Sequence, residues 1–279
     1  MGSDHYRFNI GYRNRCDQAN DILGYRITDI MFEGPDAALT QTKYTQPALF
    51  VQAYALFEML GHEPDMVAGH SLGEYTALAA AGVLAFEDAL KVVQQRGELM
   101  QKAGEIQPGA MAAIIGLEDE VIESECKSLS ANPDSLVIPA NYNTTGQIVI
   151  SGHVAAVDLA MDRMKEAGAK IVKKLPVGGA FHSPLMESAH NELNAVLDEL
   201  DFCRPRSVVY SNVTGTGSES PEILRENLKK QLLYPVQWNQ TLQNMYEDGA
   251  RLFVETGSGN VLQGLVKRTL KEVEISGFQ

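Results

Sequence analysis

A serine flanked by glycines, Gly69-His70-Ser71-Leu72-Gly73, carries the clearest chemical meaning in this 279-residue chain. The run fits the G-x-S-x-G pattern, with a short apolar strand predicted before it (Met66-Val67-Ala68) and a small-residue helix after it (Tyr75 to Ala81). A hydroxyl at such a strand-to-helix turn is presented for attack on an acyl carbon. Glycines beside it remove Cβ clashes in a strained turn. The helix N-terminus beneath it supplies free N–H groups, so the Leu72 N–H is the expected donor to the oxyanion that forms on attack. A serine that merely caps a helix is the competing structural reading, and the strand–turn–helix setting weighs against it.

A serine hydroxyl needs a base. Six histidines are available: His5, His62, His70, His153, His182 and His190. His182 stands out because Gly178-Gly179-Ala180-Phe181-His182-Ser183-Pro184 is a glycine-rich turn ahead of a helix. His70 lies inside the serine turn, with its side chain expected to point away from the Ser71 hydroxyl. The other four lie in polar stretches and read as solvated.

The elements that must hold these residues alternate between strand-like and helix-like patterns. Helices are predicted over Ala48–Leu60, with Pro47 in the first turn, and over Phe86–Met100. From Gly109 the order becomes strand (Met111–Ile115), helix (Glu118–Leu129), strands (Leu136–Ile138 and Gln147–Ile150), helix (Val154–Ala167) and strand (Ala169–Leu175). That βαββαβ order matches a ferredoxin-like unit inserted in a larger α/β domain. The expected division is 1–107 with 179–279 for the large subdomain and 108–178 for the small one. After Phe181 the pattern resumes with helices over Pro184–Leu200, Glu222–Leu232 and Gln237–Glu247, and strands at Val208–Tyr210 and Leu252–Glu255.

Composition excludes several classes. The chain is 44% hydrophobic and 21% charged, which is ordinary for a globular protein of this size. A net charge of −13 repels nucleic acid and anionic lipid, so neither is an expected partner. Its three cysteines (Cys16, Cys126, Cys203) are far apart and form no C-x-x-C pair. They read as buried thiols of a reduced, cytoplasmic protein with no structural metal. No signal peptide and no apolar run of membrane-spanning length is present, and no cofactor is called for.

Several further segments resemble the malonyl-CoA:acyl carrier protein transacylases and the related acyltransferases of polyketide synthases. They are Tyr44-Thr45-Gln46-Pro47-Ala48, Gly69 to Tyr75, Gln95 to Met100, Gly109 to Ile114, Asn143 to Gly152, Phe181-His182-Ser183, Tyr234 to Trp238 and Glu255 to Gly259. The resemblance implies a hydrolase-like parallel sheet carrying the ferredoxin-like insert, in agreement with the organisation above. It implies Ser71 as the acylated residue and His182 as its general base, steadied by the main-chain carbonyl of Gln231. It also implies that Arg96 grips the free carboxylate of malonyl, a pairing for which a guanidinium fork is suited. A surface arginine on an amphipathic helix is the bland alternative. His70, Phe181 and Asn143 are implied to line the substrate pocket, with Leu72 and Phe181 fitting malonyl over methyl-branched units. Asn143 reads equally well as a plain turn residue.

The resemblance further implies malonyl-CoA as donor and acyl carrier protein as acceptor. An acidic carrier docking on an acidic chain needs a local basic patch, for which Lys170, Lys173, Lys174, Lys229, Lys230, Lys267 and Arg268 are candidates. Family members open with a strand and a Phe-Pro-Gly-Gln-Gly loop that this sequence does not contain. The expectation is that the chain starts late and lacks a second oxyanion donor, worth about 10²–10³ in rate. Two alternatives therefore stay open: an acyl hydrolase that edits carrier proteins, and an inactive scaffold.

Overall fold

The computed structural model describes residues 1–132 and 135–279. Five helices come first: α1 (Ser3–Phe8), α2 (Ile10–Leu23), α3 (Ile27–Glu33), α4 (Asp36–Leu39) and α5 (Thr42–Leu60). Asn9 caps α2 by accepting the Tyr12 N–H, and Gly24 closes it in the left-handed region at φ 73°. Helix α5 begins at Thr42, so Pro47 lies inside it rather than in its first turn. Strand β1 (Met66–Ala68), α6 (Gly73–Ala80) and α7 (Phe86–Ile106) follow.

The middle of the chain is β2 (Gly109–Ile115), α8 (Asp119–Leu129), β3 (Val137–Thr144), β4 (Gln147–His153), α9 (Val154–Glu166) and β5 (Ile171–Lys174). These strands form one antiparallel sheet in the order β3-β4-β2-β5, the arrangement expected of a ferredoxin-like unit. Its helices cover one face, where Ile114, Ile122, Cys126, Val137, Ile148, Ile150, Val157 and Met164 pack into a separate apolar cluster. Strand β3 runs longer than its apolar residues foretell, because its far half pairs with β4 through Asn141, Tyr142 and Thr144 and is also bridged from outside the unit. The Tyr142 N–H donates to the Val236 carbonyl at 2.9 Å and the Val236 N–H to that of Ala140 at 2.9 Å. Asn143 therefore sits on a strand, not in a turn.

A short 3₁₀ turn (Pro184–Met186) then leads into α10 (Glu187–Asp198), β6 (Val208–Tyr210), β7 (Gly217–Ser218) and α11 (Pro221–Lys230). The chain ends with α12 (Trp238–Glu247), β8 (Leu252–Thr256), α13 (Val261–Thr269) and β9 (Glu274–Phe278). Strand β1 pairs in parallel with β6, and β8 in parallel with β9. The principal core joins α2, α5, α6, α7, α10 and α11 through Tyr12, Phe50, Leu56, Tyr75, Leu90, Val93, Leu197 and Leu228. Helix α6 is buried from Glu74 to Ala80 and mostly apolar, so its one acidic side chain is drawn into the interior.

Among the described residues, no helix is long and apolar enough to cross a membrane. Cys16 and Cys126 are buried thiols, but Cys203 is exposed, contrary to the reading of all three as buried.

Candidate active site

The serine turn is strained where a nucleophile turn should be. Ser71 has φ 51°, in the left-handed region that a non-glycine residue seldom occupies. Neighbours hold it there. The Ser71 N–H donates to Asn212 Oδ1 at 2.7 Å, and Asn212 Nδ2 donates to the Gly69 carbonyl at 2.7 Å. On the other side, Gln231 Nε2 donates to the Ser71 carbonyl at 2.9 Å. The two flanking glycines are not equivalent. A Cβ on Gly69 would lie 1.9 Å from the Gly73 carbonyl oxygen, whereas one on Gly73 would meet nothing within 4 Å. Only the first glycine is required by the fold. The Leu72 N–H, at the mouth of α6, has no hydrogen-bond partner among the described residues, as an oxyanion donor awaiting its acceptor requires.

His182 comes from the turn after β5 and is also held at a positive φ, 57°. Ser183 fixes that turn, donating its hydroxyl to the Ala180 carbonyl at 2.6 Å and accepting the Leu185 N–H at 3.3 Å. The result brings Ser71 Oγ and His182 Nε2 to 2.8 Å, with the hydroxyl donating. The opposite ring nitrogen, Nδ1, donates to the Gln231 carbonyl at 2.8 Å. That bond fixes the tautomer and leaves Nε2 free to accept the serine proton. Burial pushes the His182 pKa down to about 3, with the Arg96 charge acting in the same direction and the Gln231 bond opposing both. The imidazole is therefore neutral at rest, the form a base requires.

Arg96 does not lie on a solvated face. It is 1% exposed, deep on α7, and its Nη2 stands 3.1 Å from Ser71 Oγ. The same nitrogen donates to Gln231 Oε1 at 3.0 Å, while Nη1 donates to Gln46 Oε1 at 2.7 Å. The guanidinium also stands over the Tyr75 ring, 5.4 Å from its centre. Its Nε is buried without a hydrogen-bond partner. No carboxylate of the described chain lies within ion-pair distance. A buried cation with an unused donor and no ion-pair partner is chemically suited to an incoming carboxylate.

His70 Nε2 lies 2.8 Å from Asn143 Oδ1 on β3. Its ring packs against Trp238 at 5.4 Å. Leu72 is buried, and Phe181 packs between the main core and a small cluster on the outer face of the antiparallel sheet. Of the histidines read as solvated, His153 accepts the Leu136 N–H at 3.0 Å, and one nitrogen of His190 is buried.

Three residues escaped the sequence reading. Gln46 and Asn212 are uncharged and sit in runs whose patterns do not announce a role. Glu74 had a signal, since an acidic residue in an otherwise apolar, fully buried helix is out of place. Among the described residues no group of His, Cys, Asp or Glu side chains is placed to hold a metal ion.

Comparison with known proteins agrees with this geometry. The model of the acyl transferase domain family matches residues 6–277. A malonyl CoA-acyl carrier protein transacylase of Staphylococcus aureus is 38% identical over all of this chain and 91% of its own length. The crystal structure of an acyl carrier protein S-malonyltransferase from Vibrio cholerae is 40% identical and superposes with a TM-score of 0.94, over 99% of this chain and 91% of that one. A malonyl-transacylase solved in complex with a type II polyketide synthase acyl-carrier protein is 37% identical, also with a TM-score of 0.94, over 99% of this chain and 90% of that one. With a Ser–His pair, a buried arginine beside it and this likeness along its whole length, the chain belongs to the acyl transferase domain family, among the malonyl-CoA:acyl carrier protein transacylases.

Proposed function

We propose that this protein transfers malonyl from malonyl-CoA to the phosphopantetheine thiol of an acyl carrier protein, through an ester on Ser71, in fatty-acid or polyketide synthesis. The observation that carries the reading is the buried Arg96 guanidinium 3.1 Å from Ser71 Oγ, which suits an acyl group with a free carboxylate.

In the first step Ser71 Oγ attacks the thioester carbonyl while His182 Nε2 takes the hydroxyl proton. The oxyanion draws on the Leu72 N–H. Collapse breaks the carbon–sulfur bond, and His182 returns the proton to the departing CoA thiolate. In the second step the carrier's thiol gives its proton to His182 and its sulfur attacks the ester, and Ser71 Oγ leaves with the proton restored. A neutral carbonyl orienting the imidazole suits a base that must give back what it takes. The malonyl carboxylate also offsets the Arg96 charge that depresses His182, so the base strengthens once the correct substrate is bound.

The pH profile follows from the His182 pKa of about 3. The base works only when neutral, so kcat/KM falls as pH drops through the folded-state value and not through the ordinary ~6.5. With acetyl-CoA as donor, kcat/KM should stay flat from pH ~5 to ~8. An acid limb centred near 6.5 would show an imidazole far less buried than this one.

Intact-mass measurement tests the function. Malonyl-CoA alone should leave a malonyl adduct, and added carrier protein should remove it and become malonylated. Free malonate without transfer would mark a hydrolase, and no adduct would mark a scaffold. Arg96→Ala should cut malonyl loading by about 10²-fold and spare acetyl loading, as expected when a charged hydrogen-bonding partner is removed. Equal loss of both would take Arg96 out of the carboxylate role.

We assign carrier docking to the exposed cations. Lys174 is paired with Asp158 at 2.6 Å and Lys229 with Asp198 at 2.8 Å, which leaves Lys170, Lys173, Lys230, Lys267 and Arg268 without a carboxylate partner among the described residues. The division into 1–107 with 179–279 and 108–178, and a cytoplasmic location, belong to the same proposal.

A further inference from the structure

One buried carboxylate takes no part in the transfer steps. Glu74, in the first turn of α6, is 1% exposed. Its Oε2 accepts from Gln231 Nε2 at 2.7 Å and from the Asn212 main-chain N–H at 3.2 Å. At the other end of the same carboxamide, Gln231 Oε1 accepts from Arg96 Nη2 at 3.0 Å. The Gln231 side chain thus spans from a buried anion to a buried cation, with Nε2 also on the Ser71 carbonyl.

An amide has an accepting end and a donating end, whereas a carboxylate only accepts and a guanidinium only donates. Glu74 and Arg96 together therefore admit one orientation of the Gln231 amide. Turned over, it would set two donors against each other at Arg96 and two acceptors at Glu74. Without the pull of Gln231 Oε1, Arg96 Nη2 keeps only the Ser71 hydroxyl as partner. We propose that Glu74 is a positioning residue for the carboxylate clamp: it fixes the polarity of the Gln231 amide, and the amide holds Arg96 facing Ser71. This rests on Arg96 gripping the malonyl carboxylate.

Burial pushes the Glu74 carboxyl up to about 7, against the lowering effect of Gln231, Asn212 and Arg96. The charged or titratable groups that bear on it are Arg96 from α7 and Tyr75 from its own helix. The segments after β6 and α11 bring only the neutral Ser211, Asn212 and Gln231. A protonated carboxyl can donate as well as accept, so it no longer dictates how the amide faces.

The test compares Ser71 loading by malonyl-CoA and acetyl-CoA. Glu74→Gln keeps the shape but offers a donor and an acceptor, and Gln231→Leu removes the bridge while leaving the main-chain carbonyl for His182. Each should raise the malonyl-CoA KM about tenfold, and Glu74→Gln should keep acetyl loading within about twofold. Gln231→Leu also frees the Ser71 carbonyl, so it is read only by the ratio of its malonyl loss to its acetyl loss. The double variant should match Gln231→Leu alone, because the two act in series. Equal losses with both donors, or a double loss equal to the product of the singles, would overturn the proposal. The unmodified protein gives a second measurement that needs no substitution. Its malonyl-to-acetyl ratio of kcat/KM should fall as pH drops through about 7, and a flat or opposite slope would overturn the proposal as well. Arg96→Ala, run alongside, separates the two ideas. If it loses malonyl selectivity and Glu74→Gln does not, Glu74 falls and the clamp stands. If Arg96→Ala keeps selectivity, both fall.

Discussion

Ser71→Ala is expected to abolish the malonyl adduct and to lower transfer on the order of 10⁴- to 10⁶-fold, and His182→Ala to cost nearly as much. The two should not add. Ser71 Oγ donates to His182 Nε2 across 2.8 Å, so either residue without the other is chemically idle. The double variant should therefore transfer no more slowly than the worse single. What survives in all three should be the small contribution of binding and of the Leu72 N–H. Transfer rates for the two singles and the double, with mass analysis of the adduct, check this. Multiplying effects would mean that the two residues act in separate steps. Because Ser71 is strained at φ 51° and clamped on both its N–H and its carbonyl, alanine should also relieve nothing: the strain lies in the backbone. Both variants should melt within about 2 °C of the parent, which keeps the loss of rate attributable to chemistry.

Gly69→Ala is expected to have the largest effect on the fold. Its Cβ would overlap the Gly73 carbonyl oxygen at 1.9 Å and the Gly73 carbonyl carbon at 2.0 Å, and both are backbone atoms that cannot swing aside. The turn would have to open, separating Asn212 from the two main-chain groups it bridges. A loss of about 3 kcal/mol or more is expected, lowering the melting temperature by roughly 6–12 °C for a chain of this size. Gly73→Ala supplies the contrast. Its Cβ points into open space at the start of α6, so it should be neutral or slightly stabilising. Thermal unfolding of the two variants side by side decides the matter. A Gly69→Ala protein that melts with the parent would mean that the turn is far softer than its contacts imply.

Much of this arrangement was legible in the residues. Ser71 and His182 declared themselves through glycine-rich turns placed between regular elements, and the βαββαβ order of the insert followed from alternating periodicity. What periodicity cannot carry is pairing at a distance. Strand β3 looked short because Ala140 to Thr144 are not an apolar run: they pair with β4 on one edge, and on the other they are bridged by Val236, far along the chain. The N-terminal helices α1 to α4 and the closing α13 and β9 were unread: α1, α3 and α4 are short, the 14-residue α2 is rich in polar residues, and β9 is largely exposed. Pattern did reach Arg96, but only as a residue of an amphipathic helix; its full burial follows from Gln46 and Gln231, which arrive from 50 positions before and 135 after. Asn212 and Glu74 were missed for the same reason. A buried polar residue is recognised by its partners, and partners are a property of the folded chain.

The hydrogen bond from His70 to Asn143 joins the serine turn to a strand of the inserted sheet, whereas Ser71, His182, Arg96 and Gln231 all belong to the surrounding chain. A change on β3 would therefore reach the serine turn through this side-chain pair. Losing Asn143 would leave His70 Nε2 without that partner, while the bonds joining Ser71, His182, Arg96 and Gln231 are made without β3.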